Sequence, residues 1–404
     1  MIILFSISLD VTSTLILAII LFLIGNLIKN KVKFFIKFCI PAPVIGGLLF
    51  SILVLILSKL KICNVSMDTK LMQYLISTFF TTVGLGVSFS LIKKGGKLLI
   101  KYWLLCGVLA YCQNFIAIGL AKVLNIHPLL GLMCGTISME GGHGTAAAFG
   151  ATIEGLGVEN ALSVGMTAST LGLIVSGFIG GPVACFLIKK YKLRNLNLNR
   201  DNKPTLKSKN NSTSYNFTIY SFLEQVLVVL ICVNLGQLIS NLVYNLSNII
   251  IPNITGCMFV SVLFRNINDK IKFVKFDFKL IDFISEMSLG IFLTMALMSI
   301  DLLKLSSLFL PIIIIIFFQS VFIVLFGSFV AFKFLGKNLD SAIMISGMIG
   351  HGLGATPVAL ANMNSVGNLY GYSEKAVLVV TIVAAFLLDI FTMPCIILFI
   401  NILS

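Results

Sequence analysis

The sequence predicts an all-α integral membrane protein: ten transmembrane helices plus two re-entrant hairpins, arranged as two inverted five-helix repeats. Three observations predict it. Hydrophobic residues make up 58% of the 404 residues and charged ones 11%, with a mean hydropathy of +1.05, where soluble proteins run at roughly half apolar and about a quarter charged. Two Gly-His-Gly triplets, Gly142-His143-Gly144 and Gly350-His351-Gly352, interrupt apolar stretches about half a chain apart. Other motifs recur in the same order in both halves.

The first span is expected near residues 10–28, where Val11 to Ile28 gives about the 20 apolar residues that crossing requires. It lacks a basic start and a small-residue cleavage site, so it reads as a retained helix rather than a signal peptide. Further spans fall near 40–59, 71–92, 102–124 and 160–188, with a broken segment at about 128–155. A polar linker, residues 191–216, is rich in Asn and Lys and can neither bury a core nor cross lipid. Beyond it come spans near 218–246, 250–264, 281–301, 305–332 and 373–402, and a second broken segment at about 340–365. The chain thus divides into a first repeat, 1–190, the linker, and a second repeat, 217–404.

The halves echo one another beyond the triplets. Ile40-Pro41-Ala42-Pro43-Val44-Ile45-Gly46-Gly47 corresponds to Ile251-Pro252-Asn253-Ile254-Thr255-Gly256-Cys257, Gln113 to Gln319, and Pro182 to Pro394. Five spans per half is an odd number, so the second repeat starts on the opposite side and the repeats are inverted. The net charge of +14 sits in loops: Lys29, Lys31, Lys33 and Lys37; Lys93, Lys94, Lys97 and Lys101; and the linker from Lys189 to Lys209. The positive-inside rule places these segments in the cytoplasm and both termini outside, which accounts for the excess without nucleic acid. The nine cysteines show no metal-ligand spacing.

Paired helix breaks in matching positions point to the binding site of a secondary transporter, because freed backbone groups replace a solute's hydration shell. The substrate-site candidates are Ser138, Glu140, Gly141, Gly142, His143, Gly144 and Thr145 in the first break. In the second they are Gly350, His351, Gly352, Gly354, Thr356 and Asn362. Glycines permit positive φ and close approach, and a helix restarting after them aims its N-terminal N–H groups at an anion. Tight helix packing is the competing explanation for small residues in membrane helices.

Acids inside spans are costly and so are functional candidates. Asp389 lies deep in the last span, while Glu286, Glu224 and Glu140 lie shallower. With Gln113 and Gln319, the acids Glu286 and Asp389 form the sodium-binding candidates, since a hard cation takes carboxylate, amide and carbonyl oxygens. Helix gluing by the two glutamines is the alternative. The Glu-x-x-His spacing of Glu140 and His143 has no counterpart in the second break, so no transition-metal site is expected. Arginine occurs only at Arg194, Arg200 and Arg265, outside the expected spans. An anionic substrate must then be held by hydroxyls, backbone N–H groups and helix dipoles.

Several runs together resemble the bacterial sodium/glutamate symporter family: Gly141-Gly142-His143-Gly144-Thr145, Gly352-Leu353-Gly354-Ala355-Thr356-Pro357 with Ala361-Asn362-Met363, and Pro41-Ala42-Pro43-Val44-Ile45-Gly46-Gly47. Gly180-Gly181-Pro182-Val183-Ala184 and Met295-Ala296-Leu297-Met298 extend the resemblance over nearly the whole chain. It implies a multi-pass bacterial inner-membrane carrier that imports L-glutamate with Na+ as coupling ion. No cofactor and no enzymatic activity are expected, and a homodimer working by an elevator-like movement is. Glu140 and His351 depart from the family's pattern, in which a small hydroxyl residue and an apolar residue can stand there. A carrier for citrate or malate shares the architecture, but would call for a cationic side chain near a hairpin. A channel calls for repeated filters or charged rings, and a membrane enzyme for a catalytic set that the sequence lacks.

Overall fold

The computed structural model describes residues 5–37, 40–60, 62–193, 218–247, 251–300 and 306–404. Most of the polar linker, with Arg194, Arg200, Lys203, Lys207 and Lys209, lies outside them. In an apolar medium each backbone N–H and C=O must be satisfied within its own segment, so these long apolar runs become helices. The first half gives α1 (Val11–Lys31), α2 (Lys33–Lys37), α3 (Ala42–Lys59), α4 (Leu71–Gly86), α5 (Phe89–Val123), α6 (Pro128–Ile137), α7 (Gly142–Gly155) and α8 (Ala161–Lys190). The second gives α9 (Ile219–Ser247), α10 (Asn253–Ile271), α11 (Phe278–Met298), α12 (Phe309–Phe334), α13 (Leu339–Gly352), α14 (Thr356–Tyr370) and α15 (Glu374–Leu403).

Among the described residues, eight helices are long and apolar enough to cross a membrane: α1, α3, α5 from Gly96 onward, α8, α9, α11, α12 and α15. The two other helices expected as spans fall short for separate reasons. α4 has 16 residues. α10 runs beyond its expected end into Arg265, Asn266, Asn268, Asp269 and Lys270, which makes its last turns polar. The all-α expectation also needs a small amendment. Phe5–Leu9 (β1) and Cys63–Met67 (β2) pair as a two-stranded parallel ribbon. It ties the start of α1 to the end of α3, so these lie at one end of the α1–α3 pair while Lys29 and Lys31 lie at the other. Asp10 caps α1 by accepting from the Ser13 N–H at 3.0 Å, and hydrogen bonding from Ser13 holds its carboxyl below the usual range.

The recurring sequence motifs occupy matching places. Pro41 and Pro252 each precede a helix with extended backbone, and each helix then presses a glycine onto the one before it. Gly46 meets the backbone of Leu21 in α1, and Gly256 meets Gly236 in α9; a side chain at either would collide with main chain. Pro182 and Pro394 both lie inside the closing helix of their half, α8 and α15.

The helices sort into two bodies. In the first, α1 packs on α3 and α11, α9 on α10, α10 on α4, and α11 on α3 and α4. In the second, α5 packs on α6, α12 and α15, α7 on α8, and α13 on α8 and α14. Both bodies contribute to one large buried core, and a smaller cluster of Leu85, Val228, Val229, Cys232, Val233, Cys257 and Ile281 fills the α4–α9–α10–α11 junction. They meet chiefly where α11 touches α7 and α8 and where α4 touches α7 and the π-helical turn of α15. Both glycine-broken segments, α6–α7 and α13–α14, therefore lie in the second body.

Candidate functional site

Each broken segment is two helices meeting at a non-helical tip. α6 starts at Pro128, loosens into a π-helical turn over Met133–Ile137 with Gly135 off helical geometry, and stops near Ser138. The chain restarts at Gly142, whose φ of +63° is a conformation that glycine adopts without the penalty a Cβ imposes. α13 ends at Gly352, and α14 restarts at Thr356 with Pro357 in its first turn, where proline's missing N–H is not needed. The tips face one another. A Cβ placed on Gly142 would lie 3.2 Å from the carbonyl oxygen of Gly354. The N-terminus of α7, the end that favours anions, thus abuts the break between α13 and α14.

A chain of amides ties these tips to the long helices. Gln319 of α12 donates through Nε2 to the backbone carbonyl of Gln113 at 2.7 Å, and Gln113 of α5 donates through Nε2 to the carbonyl of Gly352 at 2.7 Å. Both side chains are fully buried, and both Oε1 atoms lack a hydrogen-bond donor. Such buried, unpartnered oxygens are unfavourable by themselves and match what a hard cation accepts. Next to Gln113, Asn114 Oδ1 accepts from the backbone N–H and the hydroxyl of Thr136, at 2.9 and 2.8 Å. That fixes the π-helical turn of the first break. Sequence reasoning passed over Asn114 and Thr136; the pairing of Gln113 with its neighbouring amide was the available signal.

The two histidines are held differently. The Thr170 hydroxyl spends its hydrogen on the Met166 carbonyl at 2.9 Å, so it accepts from His143 Nε2 at 2.9 Å. His351 Nε2 shares a 2.7 Å hydrogen bond with the Tyr102 hydroxyl, with Cys106 Sγ at 3.9 Å, and its Nδ1 is buried without a partner. Both hydroxyl partners, Tyr102 and Thr170, escaped the sequence reading. Ser138 donates to the Gly165 carbonyl at 2.9 Å, and Asn362 donates to the carbonyls of Ser176 and Ser346 at 3.1 and 3.4 Å. These two are engaged in bracing the hairpins. Thr145 is buried while Gly141 and Gly144 are partly exposed.

Another π-helical turn, Val383–Leu387 in α15, frees carbonyls that Thr356 and Trp103 use. The Thr356 hydroxyl donates to Ala384 at 3.3 Å and the Trp103 indole N–H to Leu387 at 2.7 Å. Asp389 follows that turn and accepts from the Thr392 hydroxyl at 3.3 Å. Glu140 is 8% exposed, both of its oxygens are buried without a donor, and it lies within electrostatic reach of Asp389. Glu286 is not drawn into this assembly and stands exposed on α11 beside Asp282; Glu224 keeps to the first body on α9. No group of three His, Cys, Asp or Glu side chains suited to a metal ion occurs among the described residues.

This arrangement can hold an anionic solute between two opposed helix breaks and a hard cation among unpartnered oxygens, without a basic side chain. The sodium/glutamate symporter family model matches residues 7–372. The chain is 35% identical over 383 residues to the sodium/glutamate symporters of Escherichia coli (strain K12) and Shigella flexneri, covering 95% of each partner in both alignments. It is 34% identical over 354 residues, 87% of each chain, to that of Haemophilus influenzae. Matches of this extent, across both hairpins and the helices that carry them, place the chain in the sodium/glutamate symporter family.

Proposed function

We propose that this chain is a sodium-coupled secondary transporter that imports L-glutamate across the bacterial inner membrane. Family membership makes it a transporter rather than an enzyme, and nothing in the site favours citrate or malate. The observation that carries the reading is the meeting of the two hairpin tips at Gly142 and Gly354. Glutamate's carboxylates would be bound by the N-terminal N–H groups of α7 and α14, with Gly141 to Thr145 on one side and Gly350 to Thr356 on the other. Ser138, Asn362, His143 and His351 hold the two tips in shape. Sodium would be bound by the free oxygens of Gln113 and Gln319, with Asp389 supplying charge.

The architecture proposed is ten spans and two re-entrant hairpins in two inverted repeats, with α4 and α10 completing the count. The matched glycine contacts of α1 with α3 and of α9 with α10 support the repeat. An elevator-like movement is the mechanism proposed, supported by the sorting of helices into two bodies with every broken segment in one of them. A homodimer and outward-facing termini complete the reading. The test is uptake of labelled glutamate into proteoliposomes under an inward sodium gradient. Saturable uptake that stops in sodium-free, potassium-matched buffer is expected, and equal uptake in both buffers would overturn the coupling.

A further inference from the structure

Glu140 is an odd residue to find at an anion site. It stands between the π-helical turn of α6 and the restart of α7, enclosed, with neither carboxylate oxygen receiving a hydrogen bond. The part of α15 that begins at Asp389 packs on α6 and on its π-helical turn, and so brings the Asp389 carboxylate into electrostatic reach of Glu140. Tyr102 and Cys106 of α5 and Cys395 of α15 also lie within electrostatic reach of Glu140. Beyond them, His351 of α13 turns to Tyr102 and Cys106, and His143 of α7 turns to Thr170. None of these carries a fixed positive charge, and the ion pairs among the described residues are Lys70–Asp68 and Arg265–Asp269, neither of which involves the two acids.

Two neighbouring carboxylates, Glu140 enclosed and Asp389 half-buried, repel each other and the substrate alike when no basic partner is present, and a mobile cation between them removes both penalties. We propose that Glu140 and Asp389 share one small monovalent cation that travels with the substrate as a coupling ion. This rests on the sodium-symport reading and deepens it. It turns Glu140 from a substrate contact into a cation ligand that acts with Asp389, the residue already assigned to supply charge to the bound cation. The chemistry required is a single positive charge lodged between two carboxylates; sodium and a proton are its two sources.

The experiment measures labelled glutamate and ²²Na⁺ fluxes in parallel in proteoliposomes, with and without an inward proton gradient. Glu140→Gln is expected to remove one cation per glutamate. If the ion is sodium, the ²²Na⁺ to glutamate ratio falls and sodium activation becomes less steep. If it is a proton, the sodium ratio stays and the stimulation by a proton gradient seen in the wild type disappears. Asp389→Asn is expected to give the same loss, and the double variant no further loss. A Glu140→Gln protein that keeps both the sodium ratio and the proton-gradient response of the wild type overturns the site. Should that variant lose net uptake, sodium- and pH-dependent thermal shifts of the detergent-purified protein decide. Wild-type midpoints in both series overturn the proposal, and a displaced midpoint in either supports it. Wild-type protein without sodium-driven glutamate uptake would sink the transport reading itself, whereas active wild type with an indifferent Glu140→Gln sinks this inference alone.

Discussion

The side-chain amide of Gln319 donates to the backbone carbonyl of Gln113 at 2.7 Å, joining corresponding helices of the two halves through the residue that itself supports the second hairpin. Gln319→Ala strips that carbonyl of its partner in a fully buried setting, a loss of about 1–3 kcal/mol, and removes one of the free amide oxygens. The sodium concentration for half-maximal glutamate uptake should rise roughly tenfold or more, with Gln113→Ala behaving alike. Unchanged sodium curves at equal membrane abundance would reduce the two amides to helix glue.

Valine at Gly142 should abolish most transport while the protein still inserts. The position has φ +63°, which costs a residue with a Cβ about 1–2 kcal/mol, and the new side chain would press on the Gly354 carbonyl. Gly352 fails differently: its φ is ordinary, and an added Cβ would lie 2.6 Å from Ile323 and 3.2 Å from Leu109. Gly119, in the same helix as Gln113, has open space around it, so Gly119→Val should retain near-normal uptake. Gly107 is a less clean control, because a Cβ there reaches the Phe391 ring at 3.1 Å.

Tyr102→Phe leaves His351 Nε2 without its 2.7 Å partner in a pocket where Nδ1 is already alone. The expected result is a destabilisation of about 1–3 kcal/mol, read as a lower thermal midpoint in detergent, and a weakened second tip, read as a higher glutamate KM. An unaltered midpoint would mean that the histidine finds another partner.

Topology can be read with impermeant thiol reagents in a cysteine-free background. Ser66 lies exposed on β2, at the end of the α1–α3 pair opposite Lys29 and Lys31, and a cysteine there should label from outside intact cells. A cysteine at Ser212, in the polar linker, should label only after permeabilisation. The reverse pattern would invert the protein in the membrane.

The sequence announced its helices well because lipid leaves the backbone few choices, and Pro41, Pro252, Pro182 and Pro394 mark boundaries that physics makes costly to move. The two glycine triplets marked the tips for the same reason. What stayed hidden were the partners. Tyr102 and Thr170 look like ordinary residues of apolar helices, and only the crossing of α5 with α13 and of α7 with α8 makes them the hydroxyls that hold His351 and His143. Asp389 and Glu140 are 249 positions apart in number, so no spacing rule could join them. Glu286 has the same intramembrane appearance as Asp389 but lies on the outer face of α11, a distinction that one-dimensional hydropathy does not carry.

Asn266 near the end of α10 grips both sides of the α4–α5 joint: its Nδ2 donates to the Val87 carbonyl at 3.0 Å and its Oδ1 accepts from the Phe89 N–H at 2.8 Å, while the Ser88 hydroxyl donates to Asp269 at 2.7 Å. The chain is thereby fastened to the first body just before α5, and within α5 the backbone leaves helical geometry at Gly96, at φ +62° with nothing near its absent side chain. The helical stretch between them is about 10 Å long at the rise of an α-helix. If the second body moves against the first as proposed, this stretch is the tether that would have to flex, because the Asn266 clasp holds its near end to α10.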